Sequence, residues 1–427
     1  MISRVHQLAL RYSHVNWALA DQGMVSAANF ATTIVLARFL GLEEFGRFTL
    51  AWMAVQMAHS FQKAMITAPM MSIGPKQEAD NESTYFGAVF AQQAIFGAAT
   101  FLLLWTGATG AEVLFPEWNI GGLALPLAFA AVAFQFHDFL RRYCFTRGRV
   151  ATAFVADAVR YPGQVAILFW LFQTVPMDSG RTLWGIGAVA MLTAVAYAVL
   201  QIRRLSWDRD AFYNITRRHW HFSRWLVAAT VVNQIRGQVF FVATGALLGA
   251  SAVGALRAGQ TLMGITHIVA MGLENIVAVK AARHFHVGGV EALKRFLTRV
   301  MYFGESFVVA AAIAVFVAPE FWLWLAFGNE YAGYGFLLRW IAVVELFYFP
   351  DMPITAGLRA LENTRLIFFA SLLSASTGAM IAYPLLSNVG VTGAAAGMLI
   401  VNIMTVCGNG FGLYWSMSRC TRDIKVL

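Results

Sequence analysis

The sequence predicts an all-α membrane protein of twelve transmembrane helices. Of its 427 residues, 59% are hydrophobic and only 12% are charged, whereas an ordinary soluble domain carries about 25% charged residues. Apolar stretches of about twenty residues recur along the whole chain, and each is long enough to cross a hydrocarbon core of about 30 Å as a helix. No comparable length remains for a soluble domain, so we expect lipid to surround most of the chain.

The twelve helices follow from the apolar stretches and from the polar residues that interrupt them. The first ends at Leu40-Gly41, the fifth contains the helix-weakening Tyr161-Pro162-Gly163, and the seventh ends at Leu248-Gly249. In chain order, the predicted helices span residues 15–39, 45–73, 85–106, 119–140, 150–172, 183–202, 225–248, 252–279, 300–318, 332–350, 365–386 and 390–416.

The distribution of positive charge gives the helices an orientation. If the N-terminus is cytoplasmic, most of the 31 Lys and Arg residues fall in inside segments, and only Arg47 and Arg181 fall in outside loops. Cytoplasmic loops carry such an excess, so both termini are predicted to be cytoplasmic. The same bias accounts for the net charge of +9 without nucleic acid as a partner. The basic and aromatic segments 4–14 and 203–224 are predicted to lie against anionic membrane lipids, with ordinary basic loops as the alternative.

An internal repeat relates the two halves of the chain. At an offset of 208 residues, Leu40-Gly41 aligns with Leu248-Gly249, and His59 aligns with His267. Each half holds six helices, an even number, so both halves enter the membrane in the same direction. We therefore expect two lobes, related by a pseudo-two-fold axis along the membrane normal, around a central cleft. The predicted domains are an N-terminal lobe (1–202, helices 1–6), a cytoplasmic amphipathic linker (203–224) and a C-terminal lobe (225–427, helices 7–12).

Two segments resemble bacterial oligosaccharide and polysaccharide flippases. The opening, Ala20-Asp21-Gln22 through Leu36 to Phe48, is similar to the start of these proteins, and Tyr383 to Ala396 is similar to their passage from the eleventh to the twelfth helix. They belong to the multidrug, oligosaccharidyl-lipid and polysaccharide exporter superfamily. The resemblance implies a MATE-like fold that transports an undecaprenyl- or other polyprenyl-pyrophosphate-linked oligosaccharide across the bacterial inner membrane by alternating access. It also implies polysaccharide polymerases or glycosyltransferases as partners.

Polar and ionisable residues inside the predicted spans are candidate site residues. A charge near the bilayer centre costs about 2.5–3.5 kcal/mol on insertion scales, so such residues usually face a partner or an aqueous cavity. In helices 2 and 8, which the repeat aligns, polar side chains recur at three- and four-residue steps along one face. We predict that the four intramembrane cations, Lys63, Arg160, Arg236 and Arg257, bind a pyrophosphate-sugar head group in the cleft by charge-assisted hydrogen bonds. The predicted cleft residues are Lys63, Arg160, Arg236, Arg257, Gln56, His59, Asn29, Asn233 and His267.

The alternative is that each cation pairs with a neighbour. Arg160 would then pair with Asp157, Arg236 with a carboxylate across the bundle, and Arg257 would reach the outer surface. Intramembrane carboxylates could likewise be counter-ions, or they could bind a coupling proton or sodium ion. The carboxylates in question are Asp21, Asp157, Glu274, Glu305 and Glu345.

The function predicted from these features is transport, not catalysis. The sequence has no nucleotide-binding P-loop, no closely spaced His and Cys metal ligands and no nucleophile elbow, so we assign no catalytic residue, no metal and no cofactor beyond the coupling ion. Two other functions stay open. One is an ion-coupled multidrug exporter of the same architecture, which would be expected to have a more acidic cleft. The other is a membrane polysaccharide polymerase or ligase, which would need a larger outside loop than the longest here, residues 319–331.

Overall fold

The computed structural model describes residues 13–114, 121–201 and 205–426, and within these ranges it contains helices and no strand. Six long helices form the N-terminal half. The first two are the arms, residues 13–40 (α1) and 42–62 (α2), of one helical run, Ser13–Gln62, which breaks at Gly41. α2 then continues through a π-helical turn, Lys63–Thr67, to Lys76. The next four helices are α3 (Ala79–Leu114), α4 (Ala124–Thr146), α5 (Val150–Thr174) and α6 (Ser179–Gln201).

Six more long helices follow in the C-terminal half. α7 is Arg209–Leu248, and α8 and α9 are the two arms, residues 250–287 and 290–317, of the run Ala250–Val317, which breaks at Gly288 and Gly289. Two short helices, Pro319–Phe327 and Asn329–Ala332, occupy the longest predicted outside segment. The last three helices are α10 (Gly335–Tyr348 with Asp351–Ala360), α11 (Thr364–Val389) and α12 (Val391–Val426).

The prediction of an all-α membrane protein with twelve long helices is confirmed. Eight helical segments within the described residues are long and apolar enough to cross a membrane. α4 and α5, which carry ionisable residues described below, are not among them. Large apolar side chains such as Leu103, Val199 and Val279 are exposed, as expected for surfaces that face lipid. The chain is therefore a multi-pass membrane protein.

Several helices extend beyond their predicted ends. α3 is predicted over 85–106 and α7 over 225–248, but they begin at Ala79 and Arg209. A helix satisfies its backbone hydrogen bonds internally in water as well as in lipid, so it can continue past the apolar window that identifies the span. From Arg209 onward, the predicted linker is thus the first part of α7.

Contacts between residues divide the chain into two compact units. The first unit comprises Met1–Leu40 and Phe48–Thr230, and the second comprises Gly41–Arg47 and Val231–Leu427. The basic first part of α7 therefore belongs with the first unit, and the short segment before Phe48 belongs with the second.

Glycines at repeat-related positions shape the start of α2 and of α8. Gly41 and Gly249, 208 residues apart, both have positive φ values, 76° and 84°, which glycine adopts without steric cost. In the second unit, the first turns of the two helices approach each other closely. A Cβ atom on Gly46 would lie 1.8 Å from the carbonyl oxygen of Ala250, and one on Gly254 would lie 2.3 Å from the carbonyl oxygen of Leu42. Only glycine permits this contact.

Candidate functional site

A histidine–carboxylate pair connects α2 and α4 in the first unit. The imidazole Nε2 of His59 lies 2.8 Å from Oδ2 of Asp138. The same carboxylate accepts a hydrogen bond from Nε of Arg142 at 2.6 Å, and its other oxygen lies 4.0 Å from Nη1 of Arg141. Lys63, four residues after His59 on α2, is exposed. The predicted polar face of α2 therefore meets charged groups of α4.

The ionisable residues of α5 are buried and paired. Asp157, which is fully buried, lies 2.6 Å from Nε of Arg141 and 3.6 Å from Nε2 of His137, both on α4. Arg160 is 2% exposed, and its Nη1 lies 2.9 Å from Nδ1 of His137. Its guanidinium group stacks over the rings of Phe134 and Tyr161 at 4.9 and 4.8 Å. α5 remains one continuous helix across Pro162.

These contacts differ from the pairing considered for α5. Arg160 and Asp157 are three residues apart on one helix, which suggested that they pair with each other. Instead, Asp157 contacts Arg141 on the neighbouring helix, and Arg160 contacts a histidine and two aromatic rings. Because Arg160 has almost no exposed surface, it does not present its charge to an open surface of the first unit.

An equivalent histidine–carboxylate pair connects α8 and α10 in the second unit. Nε2 of His267 lies 3.2 Å from Oε2 of Glu345, and the hydroxyl of Thr266 donates a hydrogen bond to the same oxygen at 3.3 Å. Glu345 is buried, and the His267 ring lies 4.3 Å from the ring of Tyr348. His59 and His267 are 208 residues apart, and Asp138 and Glu345 are 207 apart. Each unit therefore holds one such pair between its second and fourth helices.

Two arginines of the second unit lie among neutral groups. Nη1 of Arg236 on α7 is 3.5 Å from the hydroxyl of Thr405 on α12. Nη1 of Arg257 on α8 is 3.4 Å from the side-chain oxygen of Gln260. Both are partly exposed, and within the described residues neither forms an ion pair with a carboxylate. Lys63 in the first unit likewise has no carboxylate within ion-pair distance among the described residues.

The remaining predicted residues are scattered over both units. Asn29 on α1 and Asn233 on α7 are exposed, and Gln56 on α2 is partly exposed. Glu305 on α9 is partly exposed, and its Oε2 is a buried oxygen for which the described residues supply no hydrogen-bond donor. The side chains of Asp21 and Glu274 lie outside the described residues.

Sequence reasoning missed four ionisable residues of α4, His137, Asp138, Arg141 and Arg142. A signal for them was present, because His137 and Asp138 lie inside the apolar span predicted at 119–140, where ionisable residues are expensive. Asp138 is also the repeat-related partner of Glu345, which the sequence did identify. Over the described ranges, no group of three His, Cys, Asp or Glu side chains is arranged to hold a metal ion.

Both units therefore contain polar and charged residues on helices long enough to cross a membrane. Solved structures show the same fold. The structure matches an inward-facing multidrug resistance MATE family transporter of the MOP superfamily with a TM-score of 0.71 at 14% identity, covering 95% of this chain and 96% of that one. It matches the lipid II flippase MurJ in an inward closed conformation with a TM-score of 0.70 at 10% identity, covering 97% and 90%.

A third match is a MOP superfamily transporter from Pyrococcus furiosus, whose binding pocket has reversed polarity (TM-score 0.60, 13% identity, covering 95% and 92%). A search of curated protein sequences finds no significant match. Family models match both halves of the sequence: the polysaccharide biosynthesis protein model covers residues 15–276, and the MatE model covers residues 226–384. The chain belongs to the polysaccharide biosynthesis protein family, and the MOP superfamily resemblance predicted from sequence is confirmed.

Proposed function

We propose that this protein is a flippase that moves a polyprenyl-pyrophosphate-linked oligosaccharide across the bacterial inner membrane by alternating access. The observation that carries the proposal is the set of three cations, Lys63, Arg236 and Arg257, without an ion-pair partner in the described part of the chain. Membership of the polysaccharide biosynthesis protein family supports a lipid-linked saccharide as the cargo.

The unpaired cations of the spanning helices favour an anionic cargo. An unpaired cation in a spanning helix is costly unless it faces an aqueous cavity or a ligand. A pyrophosphate offers several anionic oxygens, which accept charge-assisted hydrogen bonds from guanidinium and ammonium groups. In this proposal Lys63, Arg236 and Arg257 bind the head group. Arg160, which is buried, instead helps to hold α5 against α4.

The two histidine–carboxylate pairs are proposed sites for a coupling proton. Chains of Asp, Glu and His side chains inside spanning helices form the proton relays of pumps and transporters. His59 shares Asp138 with Arg142 and Arg141, and Lys63 follows one turn along α2. His267 faces Glu345, with the ring of Tyr348 against it. Alternatively, the coupling ion is a sodium ion bound at the same carboxylates. A flux measurement distinguishes the two ions.

A multidrug exporter is the second candidate, and the MatE match over residues 226–384 favours it. Such exporters usually take cationic cargo, for which unpaired carboxylates would be needed. Here Asp138, Asp157 and Glu345 already have basic partners. Of the predicted carboxylates with described side chains, Glu305 is the one without a partner, against three unpaired cations. The flippase therefore agrees better with the charges of the described residues.

Flipping can be measured on purified protein in proteoliposomes that contain a fluorescent polyprenyl-pyrophosphate-linked disaccharide, with a membrane-impermeant quencher outside. We expect Arg236→Ala and Lys63→Ala each to slow flipping by about tenfold or more, because a hydrogen bond to a charged group contributes about 1.5–3 kcal/mol. Arg181→Ala is the matched control, since this exposed arginine lies 3.7 Å from Asp178 outside the proposed site.

Wild-type rates in both site variants would refute the binding role of these cations. Transport of ethidium without transport of the labelled lipid would instead establish the multidrug exporter. Flipping driven by a pH gradient, and unaffected by a sodium gradient, would support the proton as the coupling ion.

A further inference from the structure

A basic pocket lies in the first unit, away from the residues proposed to bind the transported head group. It has a volume of about 690 Å³ and lies between the end of α2 and the first part of α7. Four cations line it: Lys76 on α2, and Arg217, Arg218 and Arg224 on α7. The other lining residues are Ser72, Ile73, Asn214, Trp220, His221 and Phe222. No carboxylate is among them.

The four cations are not neutralised by the protein. All four are exposed, and over the described residues none lies within ion-pair distance of a carboxylate. Arg217, His221 and Arg224 follow one another at steps of four and three residues, so they share one face of α7. Arg217 and Arg224 are seven residues, about two helical turns, apart on that face, and charges of the same sign repel each other. An anion in the pocket would relieve that repulsion.

The opposite face of α7 is fixed to the rest of the first unit. His219, which is buried, lies with Nε2 3.0 Å from the hydroxyl of Tyr85 on α3. Gln92 on α3 donates a hydrogen bond to the hydroxyl of Thr216 at 2.9 Å. The hydroxyl of Ser223, also buried, lies 3.5 Å from the carbonyl oxygen of Met65 on α2. These contacts hold the basic face at a defined position, so the ligand meets a preformed site.

The pocket combines two chemistries that a lipid head group requires. Arginine and lysine supply charge-assisted hydrogen bonds to phosphate oxygens, and Ser72 and Asn214 add neutral polar groups. The exposed rings of Trp220 and Phe222 supply an apolar wall, and aromatic residues of this kind are enriched where membrane meets water. Basic segments beside spanning helices bind anionic lipids for the same reason.

We propose that this pocket binds the phosphate or pyrophosphate head group of a membrane lipid, at the side predicted to be cytoplasmic. Two sources share this chemistry: an anionic phospholipid of the bilayer and a polyprenyl pyrophosphate. The site does not depend on Lys63, Arg236 or Arg257, so it stands or falls separately from the proposed transport function.

The test is a lipid titration of the purified full-length protein in a nonionic detergent, with binding read by native mass spectrometry. Three probes distinguish the sources: dioctanoyl phosphatidylglycerol, farnesyl pyrophosphate and, as a zwitterionic comparison, dioctanoyl phosphatidylcholine. The variants are Arg217→Gln with Arg224→Gln, and separately Lys76→Gln on the opposite wall. The matched control is Arg209→Gln, since Arg209 is an exposed arginine of the same helix that does not line the pocket.

We expect the double variant to weaken binding of the anionic probe about tenfold or more, and Lys76→Gln by several-fold, with Arg209→Gln unchanged. Arg217→Lys with Arg224→Lys should retain most of the binding, which separates lost charge from lost folding. Stronger binding of phosphatidylglycerol assigns the site to bilayer phospholipid, and stronger binding of farnesyl pyrophosphate assigns it to a polyprenyl carrier. Equal binding by wild type, the double variant and Lys76→Gln would overturn the proposal, as would equal affinity for phosphatidylcholine.

Discussion

Gly46 lies in the first turn of α2, where an added methyl group has no room. In Gly46→Ala the new Cβ would lie 1.8 Å from the carbonyl oxygen of Ala250 and 2.5 Å from its carbon. Ordinary contacts of this kind begin at about 3.4 Å, so the first turns of α2 and α8 must separate by more than 1 Å. Neither neighbour is a flexible side chain that could rotate away. Overpacking of this kind costs about 1–3 kcal/mol, and for a unit of about 200 residues that lowers Tm by several degrees.

The measurement is thermal unfolding of the purified protein in detergent, followed by circular dichroism. Gly264→Ala on α8 is the matched control, because a Cβ there meets no atom within 4 Å. Its Tm should not fall, since alanine is the better helix former. Gly254→Ala should resemble Gly46→Ala, with a clash of 2.3 Å against the carbonyl oxygen of Leu42. A Gly46→Ala protein as stable as wild type would refute the reasoning.

The remaining predictions concern the ionisable residues of the spans. Asp157→Ala should lower the free energy of unfolding by about 3 kcal/mol, because it removes the buried carboxylate 2.6 Å from Arg141 and leaves that guanidinium the more distant Asp138, at 4.0 Å. Asp178→Ala, which breaks an exposed ion pair, should cost at most about 1 kcal/mol in the same unfolding assay. His59→Gln and His267→Gln should each slow flipping that is driven by a pH gradient while the protein remains folded, because each variant removes one member of a histidine–carboxylate pair. Wild-type rates of gradient-driven flipping in both histidine variants would remove the proton-coupling proposal.

The helices could be predicted from the sequence because the membrane imposes a length. A span needs about twenty apolar residues, and glycines such as Gly41 and Gly249 mark where helices break. The ends of helices that extend beyond the lipid could not be predicted in this way. Arg209 to Trp225 carries so much charge that it suggested a separate linker, yet it is continuous with α7 because hydrogen bonding along a helix does not depend on hydropathy.

Part of the site could also be predicted from residue spacing, and part of it only from the fold. The repeat aligned His59 with His267, and both have carboxylate partners. The identity of those partners could not be predicted, because spacing along one helix reveals shared faces but not which neighbouring helix packs against them. The alternative pairing of Arg160 with Asp157 illustrates the limit: the two residues are one turn apart in the sequence, but Asp157 contacts Arg141 on another helix.

The glycine contact between the first turns of α2 and α8 is reciprocal within the second unit. Leu42 approaches Gly254 and Ala250 approaches Gly46, and a shift of 208 residues exchanges one approach for the other. A side chain larger than hydrogen is therefore excluded at both positions for the same reason, and a substitution tolerated at one glycine would still have to satisfy the steric rule at its counterpart.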